Sequence, residues 1–256
     1  MNQNKTSDTK HIPPTEAAPA ETELDFFDHL RELRKRLIYS FLALFVGAIV
    51  AYNFSQEVFA ILCAPYHFAF PNQMLIGTGP AEAFMIRVKV AFFVGAIIMS
   101  PVIFAQVWLF VSPGLHDHEK KMFIPFVVLS CGLFLLGMTL CYKGVLPLAF
   151  KFFNDQYTEI GLTPSIKIGE LLSLMVTSLL GFGAVFELPI IAYFMGRSGI
   201  IDHHTLIGGA RYAIVLIFVV SAILTPPDVL SQFMMATPLL ILYGISILVV
   251  KYTAKN

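Results

Sequence analysis

Six apolar segments, separated by short stretches rich in proline, glycine and charge, constrain the fold of this chain more than any other feature. A transmembrane α-helix needs about 20 consecutive, mainly apolar residues to cross the hydrocarbon core of a bilayer. The chain is 57% hydrophobic and only 13% charged, whereas soluble domains carry about 25% charged residues. The sequence therefore predicts an all-α polytopic membrane protein with six transmembrane helices. The predicted spans are 37–54, 82–110, 122–142, 171–195, 212–224 and 229–250.

Two of the predicted spans have unusual local features. Pro101 lies inside the second apolar segment and predicts a kink there, because proline removes a helical hydrogen bond. The fifth segment would cover only about 20 Å as a helix, against a hydrocarbon core of about 30 Å. We expect so short a span to thin the bilayer locally or to recruit another helix.

The segments outside the spans differ in composition. Residues 24–36 carry apolar side chains at helical spacing opposite a basic face, which predicts an amphipathic entry helix at the membrane interface. Residues 57–79 and 143–170 hold enough apolar side chains to form packed segments outside the membrane. The predicted organisation is a disordered tail over 1–23, a membrane domain over 24–250 and a short tail over 251–256.

Basic residues near the span ends are divided unequally between the two sides of the membrane. With six spans both chain ends fall on one side, and most of these bases lie on that side. The positive-inside rule therefore places both termini in the cytoplasm and the two packed segments outside. No internal repeat is visible, which argues against transporters built from inverted repeats. The bases assigned to the cytoplasm are Arg31, Arg34, Lys35, Arg36, Lys120, Lys121, Arg197, Arg211, Lys251 and Lys255.

The sequence holds no enzyme signature. It lacks the zinc-protease motif HExxH, the nucleophile motif GxSxG and the phosphate-binding motif GxxxxGK[ST]. The adjacent His203 and His204 are a weak metal signal, because neighbouring residues on a helix point to different faces. We therefore expect no enzymatic activity, no cofactor and no bound metal.

Glu187 lies inside the fourth apolar segment, where a charged side chain costs about 3 kcal/mol on insertion scales. Such a residue should face protein or water rather than lipid. Two interpretations stay open. Glu187 is either a protonated carboxyl group satisfied by a neighbouring helix, or a polar contact for a partner helix or a transported segment.

Two further acidic residues lie near the starts of predicted spans. Glu119 follows the breaker at 112–114 and stands among histidines and bases just before the third span. It can stabilise the dipole of that helix or bind a cationic ligand. Asp228 follows two prolines and is typical of a helix N-cap.

Four blocks of the sequence resemble the TatC family, the multispan receptor subunit of the twin-arginine protein translocase. They occur in the family's order and at matching positions among the six spans, and the resemblance covers about 26–250. The blocks are 29–36 (HLRELRKR), 100–121, 183–189 (GAVFELP) and 224–232 (LTPPDVLSQ).

The resemblance implies a cytoplasm-facing receptor for signal peptides that carry consecutive arginines. Such a protein exports folded cargo across the energised inner membrane with the single-span partners TatA and TatB, in a hetero-oligomer of several copies. We also expect anionic lipids at the basic face and no nucleic acid partner. The alternatives are a proton-coupled secondary transporter that uses Glu187 and a membrane scaffold that binds only partner helices.

The resemblance also implies roles for individual residues. Glu187 would be an intramembrane polar contact, and Pro65 would be a functional position in the outer cap. Carboxylates suit arginine recognition, because a guanidinium group binds a carboxylate through two parallel hydrogen bonds. The implied signal-peptide site is Glu32, Leu33, Arg34, Phe110, Leu115 and Glu119, and the implied partner-helix site is Thr225, Asp228 and Gln232.

Overall fold

A computed structural model of the chain describes residues 18–71, 73–111, 123–225 and 228–253. Helices dominate this part, and the only isolated bridge within it pairs Ile76 with Lys167 in parallel. A π-helical turn, Cys141–Val145, joins α5 to α6. The α-helices are α1 Ala18–Tyr52, α2 Ser55–Ala69, α3 Glu82–Ile98, α4 Ser100–Val111, α5 Phe123–Leu140, α6 Leu146–Glu159, α7 Ile168–Val185, α8 Leu188–Arg197, α9 His203–Leu224 and α10 Val229–Thr253.

Five helical stretches are long and apolar enough to cross a membrane, and the bent pair α3–α4 provides the sixth span. The predicted all-α fold with six spans is confirmed. An even number of spans puts both chain ends on one side of the bilayer, which we call the terminal side; the other is the opposite side. The five stretches are His29–Tyr52, Phe123–Glu159, Ile168–Arg197, His203–Leu224 and Val229–Thr253.

The second span is bent by 58° between α3 and α4. Pro101 lies in the first turn of α4 and has no N–H to donate to the carbonyl oxygen of Ile97. The Ser100 hydroxyl donates to that carbonyl instead, at 2.8 Å. The bend therefore occurs where the sequence predicts it, and the freed backbone group is satisfied locally.

The first span is longer than predicted at its start. Helix α1 begins at Ala18, so that residues 18–23, predicted as part of a disordered tail, are helical. Residues 1–17 and 254–256 lie outside the described residues. The predicted entry helix and the first span form one continuous helix.

The prediction of a short fifth span is wrong. Helix α9 begins at His203 rather than at residue 212 and has 22 residues, about 33 Å at 1.5 Å per residue. Asp202 caps it, because its carboxylate accepts a hydrogen bond from the backbone N–H of Thr205 at 2.7 Å. Hydrogen bonds from the hydroxyl and the N–H of Thr205 hold the pKa of Asp202 below its usual value.

The spans pack as pairs of closely approaching helices. Helix α1 lies along α3, α5 lies on α7, and α10 contacts both α8 and α9. A Cβ atom on Gly95 of α3 would lie 2.6 Å from the backbone nitrogen of Ala48 on α1. A Cβ atom on Gly137 of α5 would lie 2.7 Å from the carbonyl oxygen of Phe182 on α7. Small residues permit this approach, which drives helix association in membranes.

The two segments that the sequence predicts outside the membrane pack together at the end of the bundle away from the chain termini. Helix α2 lies against α6, where the Tyr66 and Phe150 rings meet edge to face at 6.2 Å. The Glu82 carboxylate accepts hydrogen bonds from the backbone N–H groups of Gly79 and Gly169, at 3.2 and 3.1 Å. Glu82 thus joins the first segment to the start of α7.

Candidate functional site

Helices α1 and α4 meet at the terminal side and present a surface made of five side chains. Helix α1 contributes His29, Glu32 and Arg36, and α4 contributes Gln106 and Phe110. Side chains three or four residues apart share one face of a helix. We call this set the α1–α4 surface.

An ion pair and a hydrogen bond run through the α1–α4 surface. Arg36 Nη2 donates to Glu32 Oε1 at 3.1 Å, and Arg36 Nη1 donates to Gln106 Oε1 at 3.2 Å. The Glu32 side chain is 33% exposed, and its Oε2 accepts no hydrogen bond from the residues that the structure describes. Glu32 therefore combines a fixed position with an open acceptor.

Two stacked rings form the outer part of the same surface. The His29 and Phe110 rings lie 4.5 Å apart between centroids, with an interplanar angle of 27°. Phe110 is half-buried and His29 is exposed. The α1–α4 surface therefore combines a carboxylate with aromatic rings, and both kinds of group bind a guanidinium group.

The structure brings only part of the predicted signal-peptide site together. Glu32 and Phe110 belong to the α1–α4 surface, and Leu33 and Arg34 are exposed on α1 beside Glu32. Leu115 and Glu119 lie outside the described residues. The role of all six residues stays a prediction.

Glu187 lies at the break between α7 and α8 and is buried, with 8% of its surface exposed. The break occurs there because Pro189, in the first turn of α8, cannot donate a helical hydrogen bond. Glu187 Oε1 has no hydrogen-bond partner among the described residues. The carboxyl group is therefore held inside the bundle with an unused acceptor.

Two polar side chains of α5, Ser130 and Cys131, lie near Glu187. Ser130 of α5 faces the carboxyl group but at a geometry outside a normal hydrogen bond, so that Ser130 Oγ is also without a partner in the described part. The Cys131 thiol lies near Glu187 and 3.9 Å from the Ser100 hydroxyl. A neighbouring helix thus approaches Glu187 without satisfying it, which favours a contact for a further donor over the purely structural interpretation.

The three residues predicted to contact a partner helix lie where α9 ends and α10 begins. The Asp228 carboxylate accepts from the N–H and the hydroxyl of Ser231, so that it caps α10 as the sequence predicts. The Gln232 amide donates to the carbonyl oxygen of Phe218 at 3.0 Å, which joins α10 to α9. The Thr225 hydroxyl donates to the carbonyl oxygen of Ser221 at 2.8 Å. Part of the polarity of these residues therefore serves the α9–α10 hairpin itself.

Pro65 lies inside α2 and is buried. Its neighbour Tyr66 is fully buried and stacks on Phe70 at 5.0 Å between ring centroids. Pro65 therefore belongs to the packed core of the segments on the opposite side. Its predicted functional role stays a prediction.

Four residues of these sites were not predicted as site residues: Arg36, Gln106, His29 and Ser130. Arg36 could have been found from its i, i+4 spacing to Glu32, which is typical of helical ion pairs. Gln106, His29 and Ser130 carry no such local signal, because each meets its partner on another helix.

Within the described ranges, no three His, Cys, Asp or Glu side chains come together as a metal site. His203 and His204 stack on each other at 4.0 Å between centroids at the start of α9.

The fold and these sites define a class of protein: a six-span helical membrane protein with a charged surface at the terminal side and a buried carboxyl group in its bundle. A family model described as Sec-independent protein translocase protein (TatC) matches residues 28–238. The chain belongs to the TatC family, as the resemblance of its four blocks predicts. This family comprises translocase components and not enzymes, which confirms the expectation that the chain is no enzyme.

Individual relatives agree along most of their length. The Sec-independent protein translocase protein TatC of Magnetococcus marinus is 42% identical over 229 residues, covering 89% of this chain and 84% of that protein. The TatC protein of Aquifex aeolicus is 41% identical over 230 residues, covering 90% and 95%. A crystal structure of a twin-arginine translocase receptor, TatC, superimposes with a TM-score of 0.81 at 41% identity, covering 89% of this chain and all of that one.

Proposed function

We propose that this protein is the signal-peptide receptor and a core subunit of a twin-arginine translocase that exports folded proteins across the energised inner membrane. The observation that carries the proposal is the α1–α4 surface. There Arg36 holds one carboxylate oxygen of Glu32, and the stacked His29 and Phe110 rings join the same two helices. A peptide with two consecutive arginines offers the planar donors that such an oxygen accepts.

The energetics require more than one carboxylate contact. An exposed ion pair contributes only about 0–1 kcal/mol, which is too little for a selective receptor. Glu119 is the second acid that the family resemblance implies, and it follows α4 by a short stretch of chain. We propose that Glu119 supplies a second carboxylate contact, so that selectivity for paired arginines rests on several simultaneous contacts.

The orientation belongs to the same proposal. The positive-inside rule makes the terminal side cytoplasmic, which exposes the α1–α4 surface to newly synthesised precursors. The inner membrane of a bacterium is the corresponding location.

The arrangement around Glu187 favours the receptor over a proton-coupled transporter. A proton-coupled transporter would pair the carboxyl group of its proton site with a basic residue inside the membrane. In the part of the chain that the structure describes, Glu187 makes no ion pair and faces Ser130 and Cys131. We propose that Glu187 instead offers its unused oxygen to a transported segment or a partner helix.

TatA- and TatB-like single-span proteins are the proposed partner helices. The α9–α10 hairpin is attached to the bundle through the Ser178 hydroxyl, which donates to the carbonyl oxygen of Leu224 at 2.8 Å. The faces of α9 and α10 beyond this attachment carry exposed apolar residues such as Ile223 and Val229. Thr225 at the end of α9 and Gln232 in the first turn of α10 would supply the polar contact for a helix seated there.

Anionic phospholipids are the proposed lipid partners. An apolar groove of about 290 Å³ lies between α5, α8 and α10, and its lining includes Phe126, Tyr193 and Val249. Arg197 and Lys251 follow the lining residues toward the terminal side. We propose that an acyl chain occupies this groove and that its phosphate headgroup lies against Lys251.

The test of the proposed function is peptide binding to the purified protein in nanodiscs. We expect a peptide with an Arg-Arg pair to bind about tenfold more tightly than its Lys-Lys variant, because only the guanidinium forms two parallel bonds to one carboxylate. Glu32→Gln and Glu119→Gln should each reduce this preference, whereas Glu159→Gln, on the opposite side, should not. Equal binding of both peptides to the parent protein would refute the proposal.

A further inference from the structure

Arg36 joins the two helices of the α1–α4 surface and bonds in two directions. One terminal nitrogen donates to Glu32 on its own helix, at 3.1 Å. The other donates to Gln106 on α4, at 3.2 Å. Its Nε is buried and has no hydrogen-bond partner among the described residues. The guanidinium group is therefore fixed between two helices rather than free in solvent.

A resident arginine next to the recognition carboxylate has two possible consequences. It can compete with an arginine of the ligand for Glu32, or it can hold Glu32 in the geometry that the ligand needs. The two differ in whether Arg36 has to leave when the peptide binds.

The geometry favours the second consequence. Arg36 contacts only Oε1 of Glu32, which leaves Oε2 and one acceptor site of Oε1 open. If Arg36 moved away, the Gln106 bond would also break and its half-buried guanidinium group would need a new partner. A ligand can instead add to the carboxylate without displacing anything.

We propose that Arg36 is a positioning residue: anchored by Gln106, it holds the Glu32 carboxylate so that its open oxygen receives an arginine of the signal peptide. The inference rests on the proposed function and adds to it a reason for selectivity. A planar guanidinium needs a carboxylate with a fixed plane, whereas a lysine ammonium is a point charge that tolerates a rotating partner. Fixing Glu32 in advance therefore favours arginine over lysine.

The experiment measures affinities for the Arg-Arg peptide and the Lys-Lys peptide in three variants. Arg36→Gln removes the guanidinium group, and Arg36→Lys keeps the positive charge without the planar guanidinium. Gln106→Met removes the hydrogen-bond acceptor of Arg36 on α4 without changing the charge. In each variant the Glu32 side chain is no longer held before the peptide binds. Ordering it on binding should lower the affinity for the Arg-Arg peptide about 2- to 10-fold. Lys-Lys affinity should change by less than this, so that the preference for arginine falls.

Lys35→Gln is the matched control, because it removes one positive charge from the neighbouring exposed residue of α1. It should leave the ratio of the two affinities unchanged. Thermal unfolding of each variant shows whether the fold is kept. If Arg36→Gln does not fold, Arg36→Lys and Gln106→Met carry the test.

Three results would overturn the positioning role. A higher affinity of Arg36→Gln for the Arg-Arg peptide would show that Arg36 competes with the ligand. An equal fall for both peptides would show a merely structural contact, and an unchanged ratio in all three variants would show no role. If the parent protein shows no preference for arginine, the proposed function is refuted, and the positioning role of Arg36 with it. If the parent and the variants show the same preference, only the positioning role of Arg36 is refuted.

Discussion

At the scale of single residues, two glutamate side chains are incompletely hydrogen-bonded by the residues that the structure describes, in very different surroundings. Glu32 is 33% exposed and has Arg36 on one oxygen. Glu187 is buried inside the bundle, and its Oε1 has no partner in the described part of the chain. Leaving a buried polar group unsatisfied costs about 1–3 kcal/mol. The proposed contact of Glu187 with a partner outside the isolated subunit would satisfy this oxygen.

Replacing Glu187 separates stability from function. Glu187→Leu should leave the free energy of unfolding unchanged or raise it by about 1 kcal/mol, because an apolar side chain of similar size removes the unsatisfied oxygen. Export of a folded reporter should be lost, while binding of the Arg-Arg peptide stays near the parental value. The measurements are thermal unfolding in detergent, reporter export and peptide binding.

The control for Glu187→Leu is Glu170→Leu, which removes an exposed carboxylate at the start of the same span. Export by the control should remain near the parental level. A large loss of stability in Glu187→Leu would assign Glu187 a structural role instead.

At the scale of helices, close approach between spans decides which polar groups meet. Gly183 and Gly137 let α7 and α5 come into backbone contact, with Phe134 and Phe186 filling the space on either side. That contact brings Ser130 of α5 to Glu187 at the end of α7. The intramembrane site therefore depends on a glycine contact as much as on the carboxylate itself.

Adding one methyl group at this contact should be costly. Gly137→Ala places a Cβ atom 2.7 Å from the carbonyl oxygen of Phe182, and overpacking of this kind costs about 1–3 kcal/mol. Gly132→Ala is the matched control on the same helix, because its Cβ atom would have nothing within 4 Å. Unfolding of both variants in detergent checks this. Equal stability of the two would show that α5 and α7 shift apart without penalty.

At the scale of the whole molecule, six spans bring the α1–α4 surface, the α8–α9 connection and the end of α10 to one side. The packed helices α2 and α6 lie on the other. This division gives the protein a charged terminal side, which carries the proposed receptor surface, and a packed cap. The proposed function requires the receptor side to face the cytoplasm.

Thiol labelling of intact cells tests that orientation. In a background without the native cysteines, Glu159→Cys should react with a membrane-impermeant maleimide, because α6 ends on the opposite side. Ser198→Cys and Tyr252→Cys, both exposed on the terminal side, should react only after the cells are permeabilised. The reverse pattern would invert the topology and remove the α1–α4 surface from the cytoplasm.

Local sequence properties determined the features that depend on a few neighbouring residues. The apolar runs were sufficient to predict the six spans. Pro101 was sufficient to predict the bend of the second span, and Asp228 was sufficient to predict the cap of α10. Hydropathy was misleading for α9, because the predicted span began at residue 212, whereas Asp202 caps a helix that begins at His203. The four blocks were sufficient for the family.

Only the tertiary structure decided which helix faces meet. Arg36 and Gln106 are 70 residues apart in sequence, and Ser130 and Glu187 lie on different spans. In a soluble helix the apolar stripe marks the packed face. Here nearly every face is apolar, because lipid and neighbouring helices are equally suitable surroundings for leucine or phenylalanine. Hydropathy alone therefore identifies the spans, and the packing of glycines and half-buried polar groups selects the contacts between them.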